Sequence, residues 1–328
     1  MTLSLAYLQD CSSRTGYRIG PLEKVVRLGE FVADVSRHPF LGKVLILKGG
    51  TVLNLCFGPP KRLSVDLDFN YVGHPDREIM LADRPKVETA VLQMGERQGY
   101  RVQVSRDAFA GRKIYLGYRS VLGQDDRIEV DLNYLFRLPL VEPEIRELWQ
   151  PGELDRPKVR VVGLEELLVG KLLALFDRGA VRDVWDVANL SAEAGRMVHS
   201  RHFRNRFIAF SVILNHLLPT YTRERLLRGM TDRTVTEQLG PMLSIPDPPK
   251  AVDIIERAWG IVQHLLDLAP SEKGYLTAIQ QGELRAELLF KENSADYRLV
   301  TGHPAIEWKL ANVRSHLEKK GKRKDILV

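Results

Sequence analysis

Cysteine is nearly missing: Cys11 and Cys56 are the only two in 328 residues. Two distant cysteines make no disulfide framework, and no CxxC pair is present for zinc or redox chemistry. Cys56 sits among apolar residues and is expected to be a buried thiol. No apolar run approaches the length of a membrane span, so no membrane partner is expected. The first residues lack a basic patch followed by an apolar core, so no signal peptide is expected, and a reducing cytoplasmic setting follows. Internal repeats and low-complexity segments are also lacking. His199, His202 and His216 come without a cysteine or a third close ligand and do not form a metal set.

What remains is an ordinary globular composition, 44% hydrophobic and 27% charged, which excludes a disordered chain. The length suits two domains or one large one. A net charge of +6 favours an anionic partner.

The chemistry concentrates in KGGTVLNLCFGPPKRLSVDLD, Lys48 to Asp68. The run Val44–Leu47 suits a buried strand. Gly49 and Gly50 follow it, where glycines let a ligand approach the chain and backbone amides can surround phosphate oxygens. Thr51 to Phe57 reads as a short helix, broken by Gly58-Pro59-Pro60. Arg62 to Phe69 alternates as a strand, which puts Ser64, Asp66 and Asp68 on one face and Val65, Leu67 and Phe69 on the other. Two carboxylates on adjacent same-face positions repel unless a cation lies between them, and magnesium takes one or two carboxylates together with substrate phosphates. A glycine turn or an Asp-x-Asp pair alone is usually a turn or a solvated face. In this order, on neighbouring elements, they point to a magnesium–triphosphate site.

Upstream, residues 1 to about 37 read as helical, with Leu22, Val25, Val26, Leu28, Phe31, Val32 and Val35 at helical spacing and packed on the sheet. Downstream, a helix is expected from Asp76 to Gly99, with Pro85 arguing for a break. Strands follow at Tyr100–Ser105, Arg112–Tyr118 and Ile128–Leu132, with a hairpin turn at Gly123–Asp126. Glu129 and Asp131 share the polar face of the last strand. Val141 to Arg160, rich in proline and charge, reads as a connecting loop. Leu164 to Asp177 is an amphipathic helix, and Lys171 falls on its apolar stripe. An inward lysine needs an anion or must snorkel to solvent. Asp183 and Asp186, three apart, share a helix face. Beyond Ala192 the pattern is helical, with a loop around Pro246, Pro248 and Pro249. Arg196, Arg201, Arg204 and Arg206, and the terminal basic run Lys319–Lys324, are candidates for phosphate-backbone contacts.

These motifs resemble the nucleotidyltransferase superfamily with a DNA polymerase beta-type core, and most closely its AbiEii branch, which includes the MenT-type toxins. The resemblance rests on Gly49-Gly50, Thr51 in place of the usual serine, Asp66 and Asp68 in RLSVDLDF, and a helical lysine followed by Arg-Asp-x-x-Asp. It covers about residues 40 to 190. It implies a nucleotidyltransferase core of a mixed sheet flanked by helices; with the helical pattern beyond Ala192, an α+β fold is expected, with a catalytic domain over 1–190 and a mostly helical domain over 191–328 that is a candidate for RNA binding. The resemblance implies Asp131, with Glu129 as competitor, as the third carboxylate beside Asp66 and Asp68. Lys48, Gly49, Gly50, Thr51, Ser64, Lys171, Arg182 and Asp183 would contact the nucleotide, and Lys171 and Asp186 would join the catalytic set. Magnesium, or manganese in its place, is the implied cofactor and an NTP the co-substrate. RNA, above all the tRNA 3′ end, is the implied acceptor, and a cognate antitoxin the implied partner. Transfer to a small molecule or protein hydroxyl, and nucleic-acid binding by an inactive core, are the alternatives.

Overall fold

The computed structural model describes residues 3–325 apart from 107, 109, 245 and 246, with side chains as far as Lys319. Pro246 and most side chains of the terminal basic run lie outside the described residues. The chain forms two compact units. One comprises Met1–Leu167 with Met230–Ile254, the other Leu168–Gly229 with Ile255–Val328.

The first unit opens with α1 (Leu5–Thr15), capped by Gly16 at φ +78°. A Cβ there would lie 2.6 Å from the Ser244 carbonyl oxygen, so both the backbone angle and the close approach require glycine. That glycine splits the expected helical region, and α2 (Ile19–Arg37) follows. Next come α3 (Leu41–Val44), β1 (Leu45–Lys48), α4 (Gly49–Leu55), β2 (Asp66–Tyr71), α5 (Arg77–Arg97), β3 (Arg101–Val104), β4 (Gly111–Arg119), β5 (Asp125–Asn133), β6 (Glu144–Glu147) and β7 (Lys158–Val161). The strands form one mixed sheet in the order β3-β4-β5-β2-β1-β7-β6. β2 runs parallel to β5 and β1 parallel to β7, while the other neighbours are antiparallel.

Alternation divides the sheet into two faces. Leu67, Phe69, Ile114, Leu116, Ile128, Val130 and Leu132 are fully buried. They share one core with Leu22, Val25, Leu28, Phe31 and Val32 of α2, as the helical spacing expects. The residues between them on the strands face the other way, and that is where the aspartates lie. Removing these apolar groups from water contributes about 1.5–3 kcal/mol each.

Three local readings change. Helix α5 runs unbroken through Pro85. Its buried side is Met80, Arg84, Val87, Val91 and Met94, whereas Pro85 is exposed, so water can solvate the carbonyl that its missing N–H leaves. The stretch read as a loop at Val141–Arg160 contains β6 and the start of β7. Both strands are four residues long, and β6 is a sheet edge, where charge is common and Ile145 is 73% exposed. Finally, β2 begins at Asp66, so Ser64 lies before the strand and its period does not place that side chain.

Helix α6 (Leu164–Arg178) begins in the first unit, and its residues from Leu168 belong to the second, with α7 (Val181–Ala188), α8 (Ala192–Val198), α9 (Arg201–Ser211) and α10 (Arg223–Leu227). The chain then returns to the first unit through α11 (Asp232–Thr234), and the Met242 carbonyl accepts the Leu63 N–H at 2.8 Å. It re-enters the second unit within α12 (Ala251–Val262) and ends with α13 (Pro270–Gln280), α14 (Ala295–Thr301) and α15 (Pro304–Asp325). Phe176, Phe203, Phe207, Phe210 and Tyr275 form the aromatic centre of that helical unit. Among the described residues no helix is long and apolar enough to cross a membrane.

Candidate active site

Strand register assembles a row of charges across four strands. Lys48 on β1 is paired with Asp68 on β2, Asp68 with Asp131 on β5, and Asp131 with Lys113 on β4. Register partners project to the same face. One step along, Asp66 is paired with Glu129, and Glu129 with Tyr115. All these side chains are off the apolar face. Lys113 Nζ lies 3.6 Å from Asp131 and 3.8 Å from Glu129, and Arg127 reaches Glu129 at 3.1 Å.

The two candidates for a third carboxylate therefore sit differently. Glu129 is between two cations. Asp131 is abreast of Asp68, and burial followed by repulsion from Asp68 raises its carboxyl above the ordinary 3.8, with Lys113 and Lys48 opposing. A carboxylate held against its neighbour in this way favours either a proton or a cation between the two.

The glycine turn is built around Asp68. Gly49 has φ +78°, and a Cβ on it would lie 2.3 Å from Asp68 Oδ2. A Cβ on Gly50 would lie 2.9 Å from the Arg62 guanidinium and 3.2 Å from Ser64 Oγ. Thr51 starts the buried part of α4. Its hydroxyl donates to the Asp66 carbonyl and accepts from the Ser64 hydroxyl, the latter at 3.1 Å. The Thr51 hydroxyl is thus spent on fixing the start of β2, and Ser64 is buried beside it. Arg62, given no role by the strand reading, is 2% exposed and donates to the Leu63 carbonyl at 2.9 Å.

Two further polar groups on this face escape the sequence reading. Asn70 continues the period of Asp66 and Asp68 by one step and is buried, and one more count of two would have found it. Glu166, in the first turn of α6, accepts the Leu140 N–H at 2.8 Å and the Asn70 amide at 3.4 Å. Burial raises its carboxyl to about 7, against the pull of those N–H groups and of Lys48. Acidic residues in a first helical turn are commonplace, so nothing in the sequence marks this one. As oriented, Asn70 Oδ1 is buried with no partner among the described residues. A protonated Glu166 facing a turned Asn70 amide would satisfy it.

In the second unit, Lys171 is 6% exposed and lies 2.9 Å from Asp183 Oδ1 and 2.8 Å from Asp186 Oδ2. Arg178 closes on the other Asp183 oxygen at 2.7 Å. The anion that Lys171 needs is therefore supplied within its own helix pair, and it does not snorkel. Asp183 is not a surface ion-pair residue. Burial pushes its carboxyl up, but Lys171 and Arg178 outweigh that and hold it below the ordinary 3.8. Arg182 is half-buried on α7. The expected arginine patch is partly consumed by packing: Arg204 grips Glu272 at 2.6 Å and Arg206 grips Asp296 at 2.7 Å. Arg196 and Arg201 remain exposed.

Among the described residues no group of three His, Cys, Asp or Glu side chains is arranged to hold a metal ion by itself. The donor chemistry of the aspartate face nevertheless suits a hard cation: carboxylate oxygens only, with Asp68 and Asp131 abreast and the latter raised by the former. A magnesium ion there would need substrate oxygens to complete its shell.

A family model described as "Nucleotidyl transferase AbiEii toxin, Type IV TA system" matches residues 31–257, which takes in the whole sheet and the Lys171–Asp186 cluster. Among solved structures the chain is similar to MenT4, a nucleotidyltransferase toxin from Mycobacterium tuberculosis H37Rv. The identity is 19%, the TM-score 0.60, and the likeness covers 95% of this chain and 99% of that one. At that identity the likeness is one of fold. No curated protein gives a significant match.

Proposed function

Because the chain belongs to the AbiEii family of nucleotidyl transferase toxins of type IV toxin–antitoxin systems, we propose that it transfers a nucleoside monophosphate from an NTP to the 3′ end of an RNA, specifically tRNA, and so blocks aminoacylation and translation. Membership of a toxin–antitoxin family implies an NTP substrate and a cognate antitoxin.

The observation that carries the reading is the register row Lys48, Asp68, Asp131 across β1, β2 and β5, with Gly49 packed beneath the Asp68 carboxylate. In the proposed reaction the acceptor hydroxyl attacks the α-phosphate and pyrophosphate leaves. Gly49 and Gly50 leave the backbone open to the triphosphate, and the backbone N–H of Thr51 follows them. Asp131, held toward its protonated form by burial and by Asp68, is suited to take the hydroxyl proton. Lys48, next to Asp68, offsets charge that gathers on the departing pyrophosphate. Asp66 and Asp68, with Asp131, are the residues that would hold magnesium, or manganese in its place. When bound, such an ion polarises the phosphoryl oxygens and neutralises developing charge. The roles that the resemblance gives to Ser64, Lys171, Arg182, Asp183 and Asp186 belong to the same proposal.

The test is incubation of the purified protein with total RNA and each α-labelled NTP in turn, with and without magnesium. Label in a small RNA, dependent on magnesium, is the expected result. Label in protein or in a small molecule, or none with any NTP, would overturn the reading.

A further inference from the structure

The aspartate face continues across β4 and β3, away from the charge row. Along β4 it carries Lys113, Tyr115, Gly117 and Arg119, at alternate positions. Arg127 on β5 is registered against Gly117, which has no side chain. The Arg127 guanidinium therefore leans across and lies 4.6 Å from the Tyr115 ring centroid. Tyr115 itself is paired with Glu129, which is paired with Asp66. The ring is half-buried.

Beside this ring Gln103 on β3 is registered against Tyr115, and the most exposed charged neighbours are three arginines and Asp125. Arg101, Arg119 and Arg127 are 67%, 68% and 57% exposed, and among the described residues their ion pairs reach Asp125 and Glu129. Exposed pairs of that kind contribute little and yield readily to a phosphate. From Lys113 to Arg119 the strand extends about 20 Å at roughly 3.4 Å per residue. That is more track than one mononucleotide occupies, and it suits a strand of several phosphates with a base to stack.

We propose that Tyr115, backed by Arg127, is the stacking seat for a base near the 3′ end of the RNA acceptor, with Arg101 and Arg119 guiding the RNA backbone to the charge row. The inference deepens the nucleotidyl-transfer reading and rests on it for the identity of the acceptor. Aromatic stacking holds single-stranded bases without regard to sequence, and interspersed arginines supply the phosphate contacts.

The experiment measures binding of a fluorescent single-stranded RNA to the full chain without NTP, beside KM values for RNA and for NTP. Tyr115→Ala should weaken RNA binding by about 5- to 100-fold and raise KM for RNA, while leaving KM for NTP unchanged. Tyr115→Phe should bind as the unaltered protein does, and Arg127→Ala provides a second variant should Tyr115→Ala fold poorly. Arg101→Gln and Arg119→Gln should each lower the salt slope of binding by about one. RNA binding indifferent to Tyr115 and Arg127 overturns the seat, and so does a rise in KM for NTP in place of RNA. Tyr115-dependent RNA binding without any transfer would overturn the functional reading alone.

Discussion

Glu166→Gln isolates the cost of a buried carboxyl. Glu166 is 5% exposed, and its folded-state carboxyl titrates at about 7 against an ordinary 4.5. The folded chain therefore binds this proton more tightly than the unfolded chain does. Below about 4.5 both states are protonated and the fold bears no penalty. Between 4.5 and 7 stability falls as pH rises, and above 7 the whole cost remains, about 3 kcal/mol for a shift of this size. Glutamine is neutral at every pH. It keeps an acceptor for the Leu140 N–H and brings an amide that can satisfy Asn70 Oδ1. The variant should match the unaltered protein near pH 4.5 and exceed it at pH 8 by up to about 3 kcal/mol, a rise in Tm of roughly 6–12 °C for a domain of this size. Urea unfolding and thermal melts at half-unit pH steps measure it. Parallel curves for the two proteins across pH 4.5–8, or a variant less stable at pH 8, would refute the reasoning.

Gly49→Ala places a methyl group into the Asp68 carboxylate at an unfavourable φ; it should cost about 1–2 kcal/mol and, by displacing Asp68, reduce transfer by about 100-fold, as steady-state kinetics would record. Lys171→Ala leaves Asp183 and Asp186 buried without their lysine and should destabilise the chain by about 3–5 kcal/mol in denaturant melts. The depressed carboxyl of Asp183 contributes stability that is present above the unfolded carboxylate range and is lost as pH falls through its folded value, so the acid limb of the stability curve should flatten in Asp183→Asn. Arg204→Ala removes the guanidinium from Glu272, which keeps the Ala269 N–H, and should cost about 1–3 kcal/mol, seen as a lower Tm with RNA affinity unchanged.

What the sequence made legible follows from periodicity. Asp66 and Asp68 declare a shared face because the strand period is two, and the same period puts Asp131 and Glu129 on one side of β5. Which of the two meets Asp68 is set by the parallel β2–β5 register, a long-range pairing that no local pattern encodes. The inward stripe of α6 announced Lys171, but not that Asp183 and Asp186 are its counter-ions. Ser64 illustrates the opposite failure: alternation in Arg62–Phe69 extended the strand four residues too early, whereas those residues are fixed by hydrogen bonds to Thr51 and Met242. The arginines near residue 200 look alike in sequence, yet Arg204 and Arg206 find carboxylates 68 and 90 residues away.

The most direct measurement compares nucleotide incorporation into RNA by Asp68→Asn, Asp131→Asn and Glu129→Gln with that of the unaltered protein, at saturating magnesium and with folding verified by circular dichroism. The register row requires that Asp68→Asn and Asp131→Asn each lower the rate by about a thousandfold or more, while Glu129→Gln retains most of it. Full activity in Asp68→Asn, or loss in Glu129→Gln with Asp131→Asn active, would contradict the assignment of this row as the catalytic centre.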